Sequence, residues 1–223
     1  MKVYRLPDKV SALIFDMDLT LYSDPAYAEY QVDILIERLG MTQGLSLGEM
    51  KGKLEVVRQS WADSHGGKKP SLGNIILSYG ISMEENVKWR EEAFEPASFL
   101  KADPLLKKTL KELSHFFILG VVTNNPVLVA QKTLAVLGVG DYLPIVVGLD
   151  TSMVSKPHRL PFEIFTRLAD CKTENCVSIG DRYDIDLDIP LEMGMGGILV
   201  EGVEDVYKLP ELLASYRAAK NDT

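Results

Sequence analysis

A doubly wound parallel α/β sheet with an all-helical insert is the fold this 223-residue sequence predicts, on three observations. Short runs of Val, Ile and Phe recur, each closing on polar residues or glycine, as buried parallel strands do. Amphipathic segments alternate with those runs, which indicates strands joined by crossover helices. The first and second runs are separated by about eighty residues, whereas a plain crossover needs only a dozen or more.

In chain order, the strands are expected at Val10 to Phe15, Phe116 to Val122, Ile145 to Gly148, Cys176 to Gly180 and Gly197 to Val200. Helices are expected at Pro104 to His115, Pro126 to Leu137 and Leu160 to Ala169, with Asn125 as N-cap and Pro126 in the first helical position. Within the long gap, Ala28, Val32, Leu35 and Leu39 fall on one helical face that ends at Gly40. Met50, Leu54, Val57 and Trp61 fall on another after Ser46. Ser46 with Glu49, and Ser82 with Glu85, have capping-box spacing. Further helices are expected at Leu72 to Tyr79 and Met83 to Phe94, so the insert reads as a bundle of about four helices joined to the sheet near Leu21 and Pro96.

Composition narrows the function. A net charge of -8 lacks the clustered Lys and Arg that nucleic acid or an anionic membrane requires, leaving small molecules as the expected partners. Cys171 and Cys176 are the only cysteines, too few for a disulfide framework, which fits a reducing cytoplasm. No apolar stretch reaches signal-peptide or membrane-spanning length. Oligomeric state is not legible in these patterns.

The chemistry concentrates at expected strand ends, where ligands bind in an open α/β sheet. FDMDLTLY places Asp16 and Asp18 after the first strand; two carboxylates this close repel unless a hard divalent cation joins them. A lone DxD serves equally well as a strand end or a turn cap. VVTNNP sets Thr123 and Asn124 ahead of a helix N-terminus, a place suited to phosphate. VSKP puts Lys156 before a proline that forces an extended or turn conformation, although an arbitrary lysine is usually a solvated one. SIGDRYDIDLD crowds Asp181, Asp184, Asp186 and Asp188 behind Gly180; Asp184 and Asp188 read equally well as solvated loop acids.

The order FDMDLT, VVTN, SKP, GDRYDID resembles the four signature motifs of the haloacid-dehalogenase-like superfamily. That resemblance implies a Rossmann-like catalytic core at 1–20 and 99–223 and a helical cap domain at 21–98. It implies a Mg2+-dependent phosphatase in which Asp16 attacks phosphorus to form an aspartyl-phosphate and Asp18 is general acid, then base. Thr123 and Asn124 then hold the phosphoryl group, and Lys156 neutralises its charge and orients the nucleophile. Magnesium would be bound by Asp16, the Asp18 carbonyl and Asp181, with Asp186 supporting that shell.

Haloacid dehalogenases of the superfamily lack a carboxylate at the position of Asp18, because halide leaves without a proton, so Asp18 favours phosphate esters. Leu19 departs from the pattern, since many relatives have glycine there. A phosphomutase shares the intermediate and remains an alternative. A phosphoacceptor module or a binding protein without turnover is the alternative from another class, but the former would have its motifs in a different order. In the insert, HGGKKPSLG holds two glycines followed by Lys68 and Lys69. These lysines either contact a remote anionic group of the substrate or face water, as lysine pairs commonly do.

Overall fold

A computed structural model of the protein describes residues 1–67 and 69–221. Its strands are β1 (Lys2–Arg5), β2 (Ala12–Phe15), β3 (Ile118–Val122), β4 (Ile145–Val147), β5 (Cys176–Gly180) and β6 (Gly196–Leu199). They form one sheet in the order β1-β6-β5-β2-β3-β4. β1 runs antiparallel to β6 and every other pair is parallel. The five parallel strands lie within two residues of their expected bounds. β1 was not expected: its four residues are all exposed and carry no apolar run, so only pairing with β6 defines it.

The chain steps from β2 through β3 to β4 on one side, then returns to place β5 on the other side of β2. This Rossmann-like α/β order opens a crevice at the carboxyl ends of β2 and β5, where the topology switches direction. β2 is buried along its length, so its residues alternate between two apolar layers. Leu13 and Phe15 face one layer with Leu119, Val177 and Ile198; Ala12 and Ile14 face the other with Phe162 and Phe165.

After β2 come α1 (Pro25–Thr42), α2 (Leu47–Ser64), α3 (Leu72–Ser78) and α4 (Met83–Ala93), ahead of a further helix that leads into β3. Asp24 starts α1 by accepting the Tyr27 N–H at 2.8 Å, with Pro25 following it where no N–H is needed. Ser46 and Glu49 form the full capping box on α2. At α4 only half the expected box forms: Ser82 accepts the Glu85 N–H, while the Glu85 carboxylate turns to the Trp89 indole at 2.7 Å.

Leu35, Leu39, Met50, Leu54, Ile76 and Trp89 build an apolar cluster for these helices. Four residues of the expected stripes lie outside it, of which Ala28 and Val57 are half-buried. Trp61 is exposed and stacks on His65, and Val32 turns toward the crevice instead of the cluster.

The remaining helices are α5 (Pro104–Ser114), α6 (Val127–Leu137), α7 (Leu149–Ser152), α8 (Arg159–Leu168), α9 (Asp188–Glu192), α10 (Val203–Val206) and α11 (Leu209–Asn221). The expected Asn125 cap of α6 is a misreading. Pro126 is the N-cap residue, and the Val127 N–H is taken by Asp150 Oδ1 at 2.8 Å, which frees the Asn125 side chain for other work. Among the described residues, no helix is long and apolar enough to cross a membrane. Cys171 and Cys176 are free thiols with their sulfurs 3.1 Å apart.

Candidate active site

Asp16 follows β2 directly, and its N–H is held by the Ile179 carbonyl of β5 at 2.8 Å, so its position is set by the sheet. Lys156, 2 % exposed, reaches it from the loop between α7 and α8, with Nζ 2.6 Å from Asp16 Oδ1 and 2.7 Å from Asp186 Oδ1. Burial works against the Lys156 charge, yet the two carboxylates outweigh it and raise its pKa.

Asn124 fixes the backbone of that lysine. Its Oδ1 accepts the Lys156 N–H at 2.6 Å and its Nδ2 donates to the Lys156 carbonyl at 3.2 Å. Thr123, buried at the end of β3, accepts the Asn125 N–H at 3.1 Å. Asn124 lines the crevice, but its amide is committed to the lysine loop.

Gly180 allows Asp186 to come in. A Cβ there would lie 2.4 Å from the Asp186 Cβ, too close for any other residue. Asp186 Oδ2 accepts the Arg182 N–H at 3.1 Å, and its carbonyl takes the Ser178 hydroxyl at 2.7 Å. Asp184 pairs with Arg182 at 3.2 Å, as a loop acid does.

Asp16, Asp181 and Asp186 each offer a ligand oxygen, and these lie within 4.8 Å of one another. Burial, then repulsion from Asp16 and Asp186, pushes Asp181 up to about 8. Burial raises Asp186 to about 6 despite Lys156. Burial also raises Asp16, with Asp18 adding to the effect and Lys156 opposing it. Three carboxylates held this close around Lys156, a single cation for three anions, form a donor set suited to a hard divalent cation.

The Asp18 carboxylate stands outside that set. Oδ1 accepts from the Tyr22 hydroxyl and from Gln31 Nε2 at 3.3 Å, and Oδ2 accepts from Asn125 Nδ2 at 2.8 Å. Burial raises its pKa against the pull of these donors. The two acids of the DxD pair are thus separated by role: one is tied to a lysine, the other to neutral donors. Leu19 beside them has φ 56°, a left-handed conformation that costs an L-residue roughly 1 kcal/mol, which is why glycine suits this position.

Asn125, Tyr22, Gln31 and Arg90 are the residues that sequence reasoning missed. Asn125 Oδ1 accepts from Arg90 Nη1 at 2.9 Å, so α4 reaches Asp18 through one amide. Two signals were present. Gln31 interrupts the buried i, i+4 series Tyr27, Leu35, Leu39, and Asn86 with Arg90 shares the buried face of α4 with Trp89. The lysine pair is different: Lys69 is exposed, and Lys68 lies outside the described residues. The insert lines the crevice instead with Ser71, Leu72, Gly73 and Arg90, together with Ala28, Gln31, Val32 and Leu35 of α1, around a cavity of about 230 Å3.

The chain is 26% identical to the glyceraldehyde 3-phosphate phosphatase of Methanocaldococcus jannaschii over 211 residues, covering 89% of this chain and 87% of that one. It is 24% identical to the phosphoglycolate phosphatase of Neisseria meningitidis, covering 96% and 97%. In fold it is similar to a solved HAD phosphatase from Thermococcus onnurineus, with TM-score 0.60 and 18% identity, over 92% of this chain and 98% of the other. The family model for haloacid dehalogenase-like hydrolases matches residues 13–200, a span that takes in all four strand-end motifs. This protein belongs to the haloacid dehalogenase-like hydrolase family.

Proposed function

We propose that the protein is a magnesium-dependent phosphatase of small phosphorylated metabolites, working through an aspartyl-phosphate on Asp16. The observation that carries this reading is the separation of the two acids: Asp16 lies against Lys156, and Asp18 is held apart by neutral donors. Asp16 attacks phosphorus as the bond to the ester oxygen breaks. Asp18, whose hold on a proton is strengthened by its buried setting, gives a proton to that oxygen, which leaves as an alcohol. Asp18 then takes a proton from water; the water oxygen attacks the phosphoaspartate, releasing inorganic phosphate and restoring the Asp16 carboxylate.

Lys156 lowers the charge on the phosphoryl oxygens and fixes Asp16, while Asn124 holds the lysine in place. Thr123, at the end of β3 with its Oγ1 accepting the Asn125 N–H, would donate a hydrogen bond to a phosphoryl oxygen. Asp16, Asp181 and the Asp18 carbonyl would hold the cation, with Asp186 supporting them. The ion would supply charge neutralisation for the approach of an anionic ester to an anionic nucleophile.

Residues 21–98 act as a cap over a core of 1–20 and 99–223, supported by the apolar cluster that α1 to α4 build, to which α6 adds Val129. The two named relatives act on phosphate esters, and the cavity has room for a small metabolite. Free thiols suit action in the cytoplasm.

The test is hydrolysis of nitrophenyl phosphate. It should require magnesium, fall by roughly 10^4-fold or more in Asp16→Asn, and leave a phosphoryl adduct visible by intact mass in Asp18→Asn, which lacks the base for the second step. Full activity in excess chelator, or in Asp16→Asn, rules the reading out.

A further inference from the structure

Cys171 and Cys176 are the only cysteines in the chain, and the fold brings their sulfurs to 3.1 Å. Backbone geometry sets this approach. α8 ends at Leu168, and Asp170 takes a left-handed conformation, φ 46°, which reverses the chain and carries Cys171 back against the sheet. The Cys171 N–H is bonded to the Thr166 carbonyl at 3.1 Å, and the Asn175 N–H to the Lys172 carbonyl at 3.0 Å, so the short link between the cysteines is closed by its own hydrogen bonds. Cys176 then opens β5, opposite Ala12 of β2.

The two thiols differ in access. Cys176 is 0% exposed in the apolar layer that contains Ala12, Phe165 and Met195, and its S–H donates to the Lys172 carbonyl at 3.4 Å. Burial pushes that thiol well up, so it stays protonated and out of reach of solvent. Cys171 is half-buried: it packs against the same layer and also lines a surface groove with Thr166, Arg167 and Lys172. One sulfur is open to a small oxidant. The other stands behind it, its proton directed to Lys172 and its lone pairs free to face the first.

We propose that Cys171 and Cys176 are a peroxide-reactive dithiol that closes reversibly to a disulfide. Hydrogen peroxide transfers one oxygen to the Cys171 sulfur, giving a sulfenic acid and water. The Cys176 sulfur then attacks the Cys171 sulfur, the S–O bond breaks, and the hydroxide departs as water with the Cys176 proton. Two electrons pass from the pair to one peroxide, and a small thiol returns them by exchange. The neighbouring thiol matters because of where Cys171 sits. Further oxidation would set a charged sulfinate against the apolar layer, whereas the bridge is neutral. That layer includes the first residue of β5, the strand that leads to Asp181.

The test uses the position of Lys172 between the two cysteines. Trypsin cleaves there and leaves Cys171 in a peptide of residues 168–172 and Cys176 in one of residues 173–182, neither of which contains methionine. The full chain is treated with hydrogen peroxide, unfolded in iodoacetamide, digested and weighed. Wild type should lose both alkylated peptides and gain one species in which they are joined through sulfur; dithiothreitol before alkylation should restore both. In Cys176→Ala the Cys171 peptide should end as sulfinate or sulfonate, and in Cys171→Ala the Cys176 peptide should stay alkylated.

Wild-type thiols that stay free under peroxide, or a wild-type Cys171 that goes on to sulfinate, overturn the proposal. Linkage between two copies, visible as a covalent dimer without reductant, overturns it as well, because the geometry calls for a partner within the chain. Oxidation of Cys176 in Cys171→Ala as readily as of Cys171 in Cys176→Ala refutes the order of attack. If the variants fail to fold, the wild-type peptides alone decide. The readout is covalent mass and not turnover, so the outcome is independent of the phosphatase reading.

Discussion

On the core wall of the cavity Lys156 stands between Asp16 and Asp186, whereas on the insert wall Arg90 is buried to a similar degree but meets amide oxygens and the Phe94 ring, with no carboxylate bonded to it among the described residues. The same class of side chain is charge-matched in one wall and left unmatched in the other. A matched cation keeps reacting groups in place through the cycle, as a catalytic lysine must. An unmatched one retains its attraction for a ligand. On the proposed reading the difference assigns chemistry to the core and selectivity to the insert, and it can be tested by removing each cation in turn.

The largest effect is expected at Lys156. Lys156→Met leaves Asp16 and Asp186 facing each other without their shared cation, and losing one partner of a buried pair costs about 3–5 kcal/mol. Turnover of nitrophenyl phosphate should fall roughly 10^3-fold or more, and Tm by about 10 °C, as followed by calorimetry. Arg90→Met strands only amide acceptors, so its Tm should fall by about half as much. Equal losses in the two variants would show that Arg90 has a structural charge partner after all, and the comparison would fail.

How much of this was legible in the sequence also divides along the two walls. Asp16, Asp18 and Asp181 were singled out because each stands just past a buried strand, and the sheet brings such ends together; Lys156 lies beyond α7 and was singled out by its place before Pro157. Asn125 was misread because its local context, before a proline and a helical run, is that of a cap. Only the distant Asp150, reaching Val127, releases it from that role. Arg90 lies in MEENVKWREEA, where acidic and basic neighbours suggest a solvated helix. Packing of α4 against α6 and α7 decides which of those charges is buried, and a local pattern does not encode that. β1 escaped for a similar reason: an exposed edge strand has no periodicity of its own.

A smaller effect separates the walls by pH. In the protein without bound metal, Asp181 titrates at about 8 and Asp186 at about 6, both above the unfolded value of 3.8. Between about pH 4 and 8 the folded state therefore holds protons that the unfolded chain has released, so stability is greatest at the acidic end and is lost as pH rises through those values. Urea midpoints taken in chelator should fall from pH 5 to pH 8.5, and magnesium should flatten the slope by replacing the protons with a cation. No comparable trend comes from the insert wall, since Arg90 stays charged throughout. Midpoints in chelator that climb across this range would contradict the proposed crowding of acids.

The smallest expected effect tests whether the insert wall can be loosened without touching the core wall. Ser82 starts α4 by accepting the Glu85 N–H at 3.1 Å, and the reciprocal half of its box is missing because Glu85 holds Trp89. Ser82→Ala therefore removes a single cap, at a cost of about 1 kcal/mol, equivalent to a Tm decrease of about 2–4 °C in a chain of this size. The helix frays from that end, and Arg90 lies two turns farther along, packed beside Trp89 and over Phe94. If α4 serves recognition, the variant should shift its preference between phosphoglycolate and nitrophenyl phosphate, read as the ratio of kcat/KM, by roughly twofold. Asp103→Ala is the control in the core, since Asp103 caps α5 through Leu105 and Leu106 away from the cavity. It should lower Tm without moving the preference. A preference that shifts equally in both variants would mean that general loosening, and not the position of Arg90, sets selectivity.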